Sequence, residues 1–367
     1  MKGKWIASPG AAAAVCLLAT ATAGPGAGVD FADANLESAV RAELGIAPPT
    51  PVTTADMLGL ALLTARDAGI QQLGGLEHAL NLTALRVTQN GVVALSPLAG
   101  LTALTELDLW HNQIQDVSAL SGLTALTRLS LGGNRVSDLS GLSGLTGLSY
   151  LNLSHNEITD VSPLSGLTNL TVLMLFGNEV PDISPLAGMT RLEELHFNFG
   201  GVTDISALAG MTRLRHVSMM YNEVTAIPPL SGSPDLRDLN LSDNSISDIS
   251  GLAGMAHAED MFLLLDNNQI ADVSALASLT GECWVSLASN QISDISALAA
   301  TTGFGALDLH DNPLNQAAYD TYLPLIEANN PGILLYYDPI PEPAAIALLA
   351  AGAALALHRR RRDTAAK

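Results

Sequence analysis

Aromatic side chains are scarce in this chain: three Trp, six Tyr and six Phe make up only 4% of its 367 residues. A thick core built around rings is excluded, so Leu, Ala and Gly must fill whatever layers form. Cysteine is scarcer still. Cys16 lies in an N-terminal apolar stretch, which leaves Cys283 alone in the rest of the chain, and one thiol closes no intramolecular disulfide. No histidine recurs where it would activate that thiol, so Cys283 reads as a core position that happens to be Cys. Basic residues are also few, 16 against 36 acids, for a net charge of -20. Seven of the sixteen (Lys2, Lys4, Arg359 to Arg362, Lys367) sit at the two ends, which makes the central body more anionic than the total implies. Such a surface repels nucleic acid and anionic lipid and keeps a monomer soluble. Gly-rich phosphate loops, Ser-His-Asp arrangements and His pairs at metal-ligand spacing are all missing, which argues against an enzyme, a metal site or a cofactor.

The two ends read as addresses. Met1 to Ala23 combines Lys2 and Lys4, an apolar run through Leu17 and Leu18, and the small-x-small triplet Ala21-Thr22-Ala23. That is the layout of a secretory signal peptide cleaved after Ala23. At the other end, Pro341-Glu342-Pro343 precedes an apolar run from Ala344 to Leu357, then His358 and Arg359-Arg360-Arg361-Arg362. A helix of that length reaches about 21 Å, short of the roughly 30 Å hydrocarbon core, with snorkelling arginines and the upstream Pro-Ile to narrow the gap. Arginines retained in the cytoplasm would leave the body outside. A plain tail anchor fits these features, and so does a sorting signal. The order Pro-Glu-Pro, short apolar helix, basic cluster resembles the PEP-CTERM signal of Gram-negative bacteria. The resemblance implies an exosortase as processing enzyme, acting at Pro341, Glu342 and Pro343. It also implies transient inner-membrane anchoring and delivery to the cell surface or extracellular matrix.

Between the ends one pattern recurs with a period of about 22 residues. Asn stands at 90, 112, 134, 156, 178, 222, 244, 268, 290 and 312, Gly200 takes the remaining place, and the step from 244 to 268 carries two extra residues. This period with Leu-x-x-Leu-x-Leu-x-x-Asn defines a leucine-rich repeat. In Leu104-Thr-Glu-Leu107-Asp-Leu109-Trp-His-Asn112, the Leu107/Leu109 alternation is a short strand with one face inward. Asn112 then turns the chain, its amide satisfying backbone groups of its own coil and the next, so that stacked coils form an asparagine ladder. Leu returns eight residues after each ladder position, where only a 3₁₀ turn or extended segment fits. Asp stands four after it in eight coils (Asp116, Asp138, Asp160, Asp182, Asp204, Asp248, Asp272, Asp294), each followed two later by Ser. That spacing reads as turn capping, with weak cation binding by the column as the alternative.

The unit Asn156-Glu-Ile158-Thr-Asp160-Val161-Ser162-Pro163-Leu164-Ser-Gly166-Leu167-Thr168 looks like the bacterial internalin-type repeat, and the likeness runs from about Phe31 to Asp338. It implies an α/β solenoid with a parallel sheet on the concave face, a 3₁₀ or extended convex side, and helical caps. The expected organisation is a signal peptide at 1–23, an N-terminal helical cap at 24–67, repeats at 68–312, a C-terminal cap at 313–338, and a sorting tail with a short transmembrane helix at 339–367. In the caps, Asp33 starts a helix that stops at Gly45, and Thr53 or Thr54 starts a second. A helix near Gln316 to Asn329 and a strand from Ile333 to Tyr337 close the other end. Gly200 should break the ladder, and the insertion at Ala256 to Asp260 should bring a bulge or kink.

Outward strand positions in such a solenoid are free of core duty. Read coil by coil, they carry Trp110, His111, Tyr150, His155, Met174, Phe176, His196, Phe199, His216, Met220, Tyr221, Phe262 and Trp284. So many of the few rings on one face point to an interface for a protein, or for a polysaccharide whose sugars stack on them. The alternative is a structural matrix component, a long acidic spacer with no specific ligand.

Overall fold

The structure, a computed structural model, describes residues 26–255, 260–279 and 281–339. The signal-peptide and sorting-tail expectations, including Pro341, Glu342, Pro343 and Arg359 to Arg362, lie outside the described residues. Thirteen strands form one sheet in strict chain order: β1 (Leu62–Thr64), β2 (Ala84–Arg86), β3 (Glu106–Asp108), β4 (Arg128–Ser130), β5 (Tyr150–Asn152), β6 (Val172–Met174), β7 (Glu194–His196), β8 (His216–Ser218), β9 (Asp238–Asn240), β10 (Met261–Leu264), β11 (Cys283–Ser286), β12 (Phe304–Asp308) and β13 (Leu334–Tyr336). Neighbours pair in parallel, mostly one repeat apart, as Glu106 with Arg128 and Arg128 with Tyr150. This is the α/β solenoid of the leucine-rich repeat.

Each coil closes because its two sides deliver side chains to one core. Leu107 and Leu109 enter it from the strand side, and Leu120 enters from the opposite 3₁₀ turn Ser118–Leu120. Each such Leu contributes about 2 kcal/mol by leaving water. No single coil could bury its leucines alone, so stability comes from stacking.

The Asn ladder reaches back rather than forward. Asn112 Nδ2 donates to Leu109 O of its own coil (2.9 Å) and to Val87 O of the preceding one (2.7 Å), while its Oδ1 accepts from Val92 N (3.0 Å). The same pattern recurs at Asn178, which is 2% exposed. At Gly200 the ladder is broken for a steric reason. A Cβ there would lie 2.2 Å from Cε1 of Phe197, a fully buried ring where neighbouring coils carry Leu175 and Met219. The ring occupies the room an asparagine side chain needs. Val180 N–H therefore lacks the amide partner that Ile158 N–H has in Asn178.

The Asp column caps turns. In all eight coils the carboxylate accepts from the backbone N–H of the Ser two residues on, at 2.7 to 2.8 Å. Hydrogen bonds from Ser118 and Ser162 hold Asp116 and Asp160 below the usual carboxylate range.

Both caps follow their signals. Asp33 caps helix α1 (Ala34–Leu44), which ends on Gly45 in the left-handed region, and Thr53 forms a capping box with Asp56 at α2 (Thr54–Met57). At the far end a π-helical turn, Ala318–Tyr322, leads into α3 (Leu323–Asn329), whose Leu323 and Ile326 close the core. The insertion leaves β9 and β10 in register. The bulge instead falls two coils later, where the β11–β12 register shifts between Cys283 and Trp284, opposite the extra residue Gly305.

Candidate interaction surface

The sheet does not gather the predicted residues into one strip. Counted back from the ladder position, Tyr150, His216, Phe262 and Trp284 stand six residues before it, and Met174 and His196 four before. Trp110 and Phe176 stand two before, and His155, Phe199 and Tyr221 one before. From the first of these rows to the third is about 13 Å along the strands. Trp110 and Phe176 lie just past their strand ends, and the last three are further out still. Those three lie in the turn, with φ of 53° at His155, 60° at Phe199 and 55° at Tyr221.

Several of these rings have structural work. Trp110 leans over Gly132, where a Cβ would come within 3.0 Å of its Cδ1. His155 lies over Gly177 in the same way and meets Phe176 edge to face, with ring centres 4.6 Å apart. A glycine one repeat after a ring was the sequence signal for this covering role. Tyr150 is engaged as well: the Arg128 guanidinium sits 4.2 Å from its ring centre, and its hydroxyl donates to Met174 Sδ at 3.8 Å.

The histidines of β7 and β8 each face a carboxylate. His196 faces Glu194 at 3.8 Å, and His216 on the next strand bonds Asp238 through Nδ1. Burial pushes the His196 imidazole down, against the raising influence of Glu194. Among the described residues no group of three His, Cys, Asp or Glu is arranged to hold a metal ion. Cys283 points inward, and burial pushes its thiol up to about 11, so little thiolate exists near neutrality.

Two ring pairs remain open to solvent. Phe199 and Tyr221 stack face to face, centres 4.5 Å apart and planes within 7°, with 59% and 47% of their surface exposed. Their column is otherwise Gln89, His111, Gly133, His155, Gly177, Asp243, Asn267, Ser289 and Asp311, mostly types that accept a positive φ. Phe262 and Trp284 form the second pair, centres 5.5 Å apart, on the adjacent strands β10 and β11. Trp284 also lies over Gly305, where a Cβ would come within 2.8 Å of its Nε1, and is still 42% exposed. Sequence reasoning missed two further members of this face. Leu334 and Tyr336 on β13 pair with Ala306 and Asp308, and so continue the same rows. The longer helical connection between β12 and β13 hid them, because the last step departs from the repeat period.

Family comparisons agree with this geometry. Residues 124–166 and 212–254 match the model described as "Leucine Rich repeats (2 copies)", and residues 81–136 match "Leucine rich repeat". The solved internalin InlF of Listeria monocytogenes is 32% identical, with a TM-score of 0.75 over 86% of this chain and 93% of that one. The chain belongs to the internalin-type leucine-rich-repeat family. Internalin C2 of the same species is 36% identical over 61% of this chain and 90% of its own, with a TM-score of 0.52. The plant peptide hormone receptor RGFR1, solved in complex with RGF2, shares the fold at 19% identity, covering 71% of this chain and 48% of its own with a TM-score of 0.55. No curated protein matches the chain by sequence. Among the described residues of this internalin-type chain, no helix is long and apolar enough to cross a membrane.

Proposed function

We propose that this chain is an exported binding solenoid, held at the cell surface or in the extracellular matrix, whose outward sheet face and the turns that border it capture a protein partner. One observation carries the reading. Phe199 and Tyr221 stack in the open at positive φ, in a column that elsewhere uses polar or glycine residues. Holding a bulky residue there costs on the order of 1 kcal/mol of backbone strain. The stack returns about 0.5–1.5 kcal/mol, roughly offsetting the strain, and still leaves both outer faces in water; that exposed apolar area supports a role in contact. A protein partner is favoured over a polysaccharide because exposed Phe and Tyr beside a row of Phe, Trp and Leu have the composition of a protein interface. Leucine-rich-repeat proteins of this kind typically mediate protein binding, and the fold is typically a non-enzymatic scaffold, so we assign no catalytic residue. The leader-like start and the Pro341-Glu342-Pro343 tail support export by a two-address route, with an exosortase acting on the tail.

The test uses cross-linking to a surface-protein extract of the producing cell. Phe199→Ala with Tyr221→Ala should remove the captured partner and leave the melting temperature within a degree or two. Capture that survives the double variant would sink the reading and favour the acidic spacer. Replacing Pro341, Glu342 and Pro343 by Ala should hold the chain in the membrane fraction; unchanged release would refute the sorting route.

A further inference from the structure

The C-terminal third of the sheet differs in chemistry from the rest. Arg237 is the last Lys or Arg before Arg359; residues 238–339 contain neither, while acids recur through them from Asp238 to Asp338. All the other body arginines stand earlier, several paired with acids, as Arg86 with Glu106 and Arg215 with Glu193. Beyond Arg237 the carboxylates have no Lys or Arg of their own stretch to neutralise them; among the described residues His310 bonds Asp308 and His216 bonds Asp238.

An open apolar row runs through this anionic third. Phe262, Trp284, Ala306 and Leu334 stand side by side on β10, β11, β12 and β13. Phe262, Trp284 and Leu334 are 40%, 42% and 45% exposed, and Tyr336 extends the patch from the next row. Buried Ala306 makes a low point between Trp284 and Leu334. Four strands at about 4.8 Å spacing give a row of about 14 Å, wide enough to seat one α-helix of about 10–12 Å diameter. Exposed Asp260 and Glu282 border it, and half-buried Asp238, bonded to His216, closes one end.

We propose that this row docks a basic segment of a partner protein, with apolar residues seated on Phe262, Trp284 and Leu334 and Lys or Arg side chains on the bordering carboxylates. The proposal rests on the reading of the chain as a protein-binding solenoid. The apolar row supplies the anchor, and the excess of carboxylates over Lys and Arg disfavours acidic partners and steers basic ones. An anionic lipid surface or a nucleic acid would be repelled by the same excess.

The experiment titrates the full chain with a fluorescein-labelled amphipathic helical peptide, long enough for about five turns, bearing Leu on one face and Lys on the other, read by anisotropy. A second peptide has Glu in place of every Lys. The Lys peptide should bind at least tenfold more tightly than the Glu peptide, and raising salt from 50 to 500 mM should weaken it about tenfold or more. Phe262→Ala with Trp284→Ala keeps every charge and should weaken the Lys peptide at least tenfold, with an unchanged circular-dichroism melt showing the fold intact. Equal binding of the two peptides, or no effect of that double variant, would overturn the proposal. If Phe199→Ala with Tyr221→Ala abolishes partner capture while the Phe262/Trp284 variant does not, the protein-binding reading stands and this docking site falls. A chain with Arg359 to Arg362 changed to Ser should bind the Lys peptide as the parent does. Tighter binding by that variant would show the tail to be the occupant and overturn the partner assignment.

Discussion

Gly200 and Phe197 should behave as one unit, and a double-mutant cycle measures it. Gly200→Asn alone forces its Cβ to within 2.2 Å of the Phe197 ring, an overpacking that costs about 1–3 kcal/mol. Phe197→Leu alone empties part of a fully buried site, at about 1–2 kcal/mol. Together they restore the repeat. Following the pattern of Asn178, the new amide would accept from Val180 N–H and donate to the carbonyls of Leu175 and residue 197. Each of those bonds contributes about 1 kcal/mol net, and losing a glycine from the unfolded chain adds about 0.5 kcal/mol. The double variant should be at least as stable as the parent, with a coupling energy of about 3 kcal/mol or more. Urea denaturation followed by far-ultraviolet circular dichroism gives all four corners of the cycle. Singles that add to within about 0.5 kcal/mol would refute the argument that the ring excludes the ladder residue.

Asn178→Ala should be among the most damaging single changes in the ladder. It strands Ile158 N–H, Leu153 C=O and Leu175 C=O in the core, for about 3 kcal/mol measured in the same assay. Acid should destabilise the chain with a defined sign. Asp116, Asp160, Asp182 and Asp248 titrate below their unfolded values because Ser N–H and hydroxyl groups bond the carboxylate, so their contribution is present above the ordinary carboxylate range and lost as pH falls through the depressed values. Changing the four to Asn keeps the Asx turn and should flatten the fall of melting temperature between pH 5 and 3. His196 adds a loss of the same sign as pH drops below about 6.5, because burial disfavours its protonated form. Cys283 should resist thiol reagents in the folded chain at pH 8 and react once urea unfolds it, because it is buried with its thiol pushed up to about 11.

The spacing of Leu and Asn by itself determined the architecture. An inward Leu pair, a ladder amide and a return Leu in each repeat permit one way of stacking, because any slip exposes the leucines of every coil. The Asp33 and Thr53 caps and the Asp-x-Ser turns were equally legible, since a cap depends on neighbours two or three residues away. What faces what across coils was not. Only the tertiary structure showed that Trp110 and His155 cover glycines of the next coil and that Phe197 fills the gap at Gly200. Only there does Phe199 stack on Tyr221. It also carried the apolar row on to Leu334, because β13 returns to the sheet through a helix that breaks the period. Periodicity assigns each side chain to a face. Whether a ring on that face lies open or packs on its neighbour depends on residues one full coil away, and stacking alone brings those together.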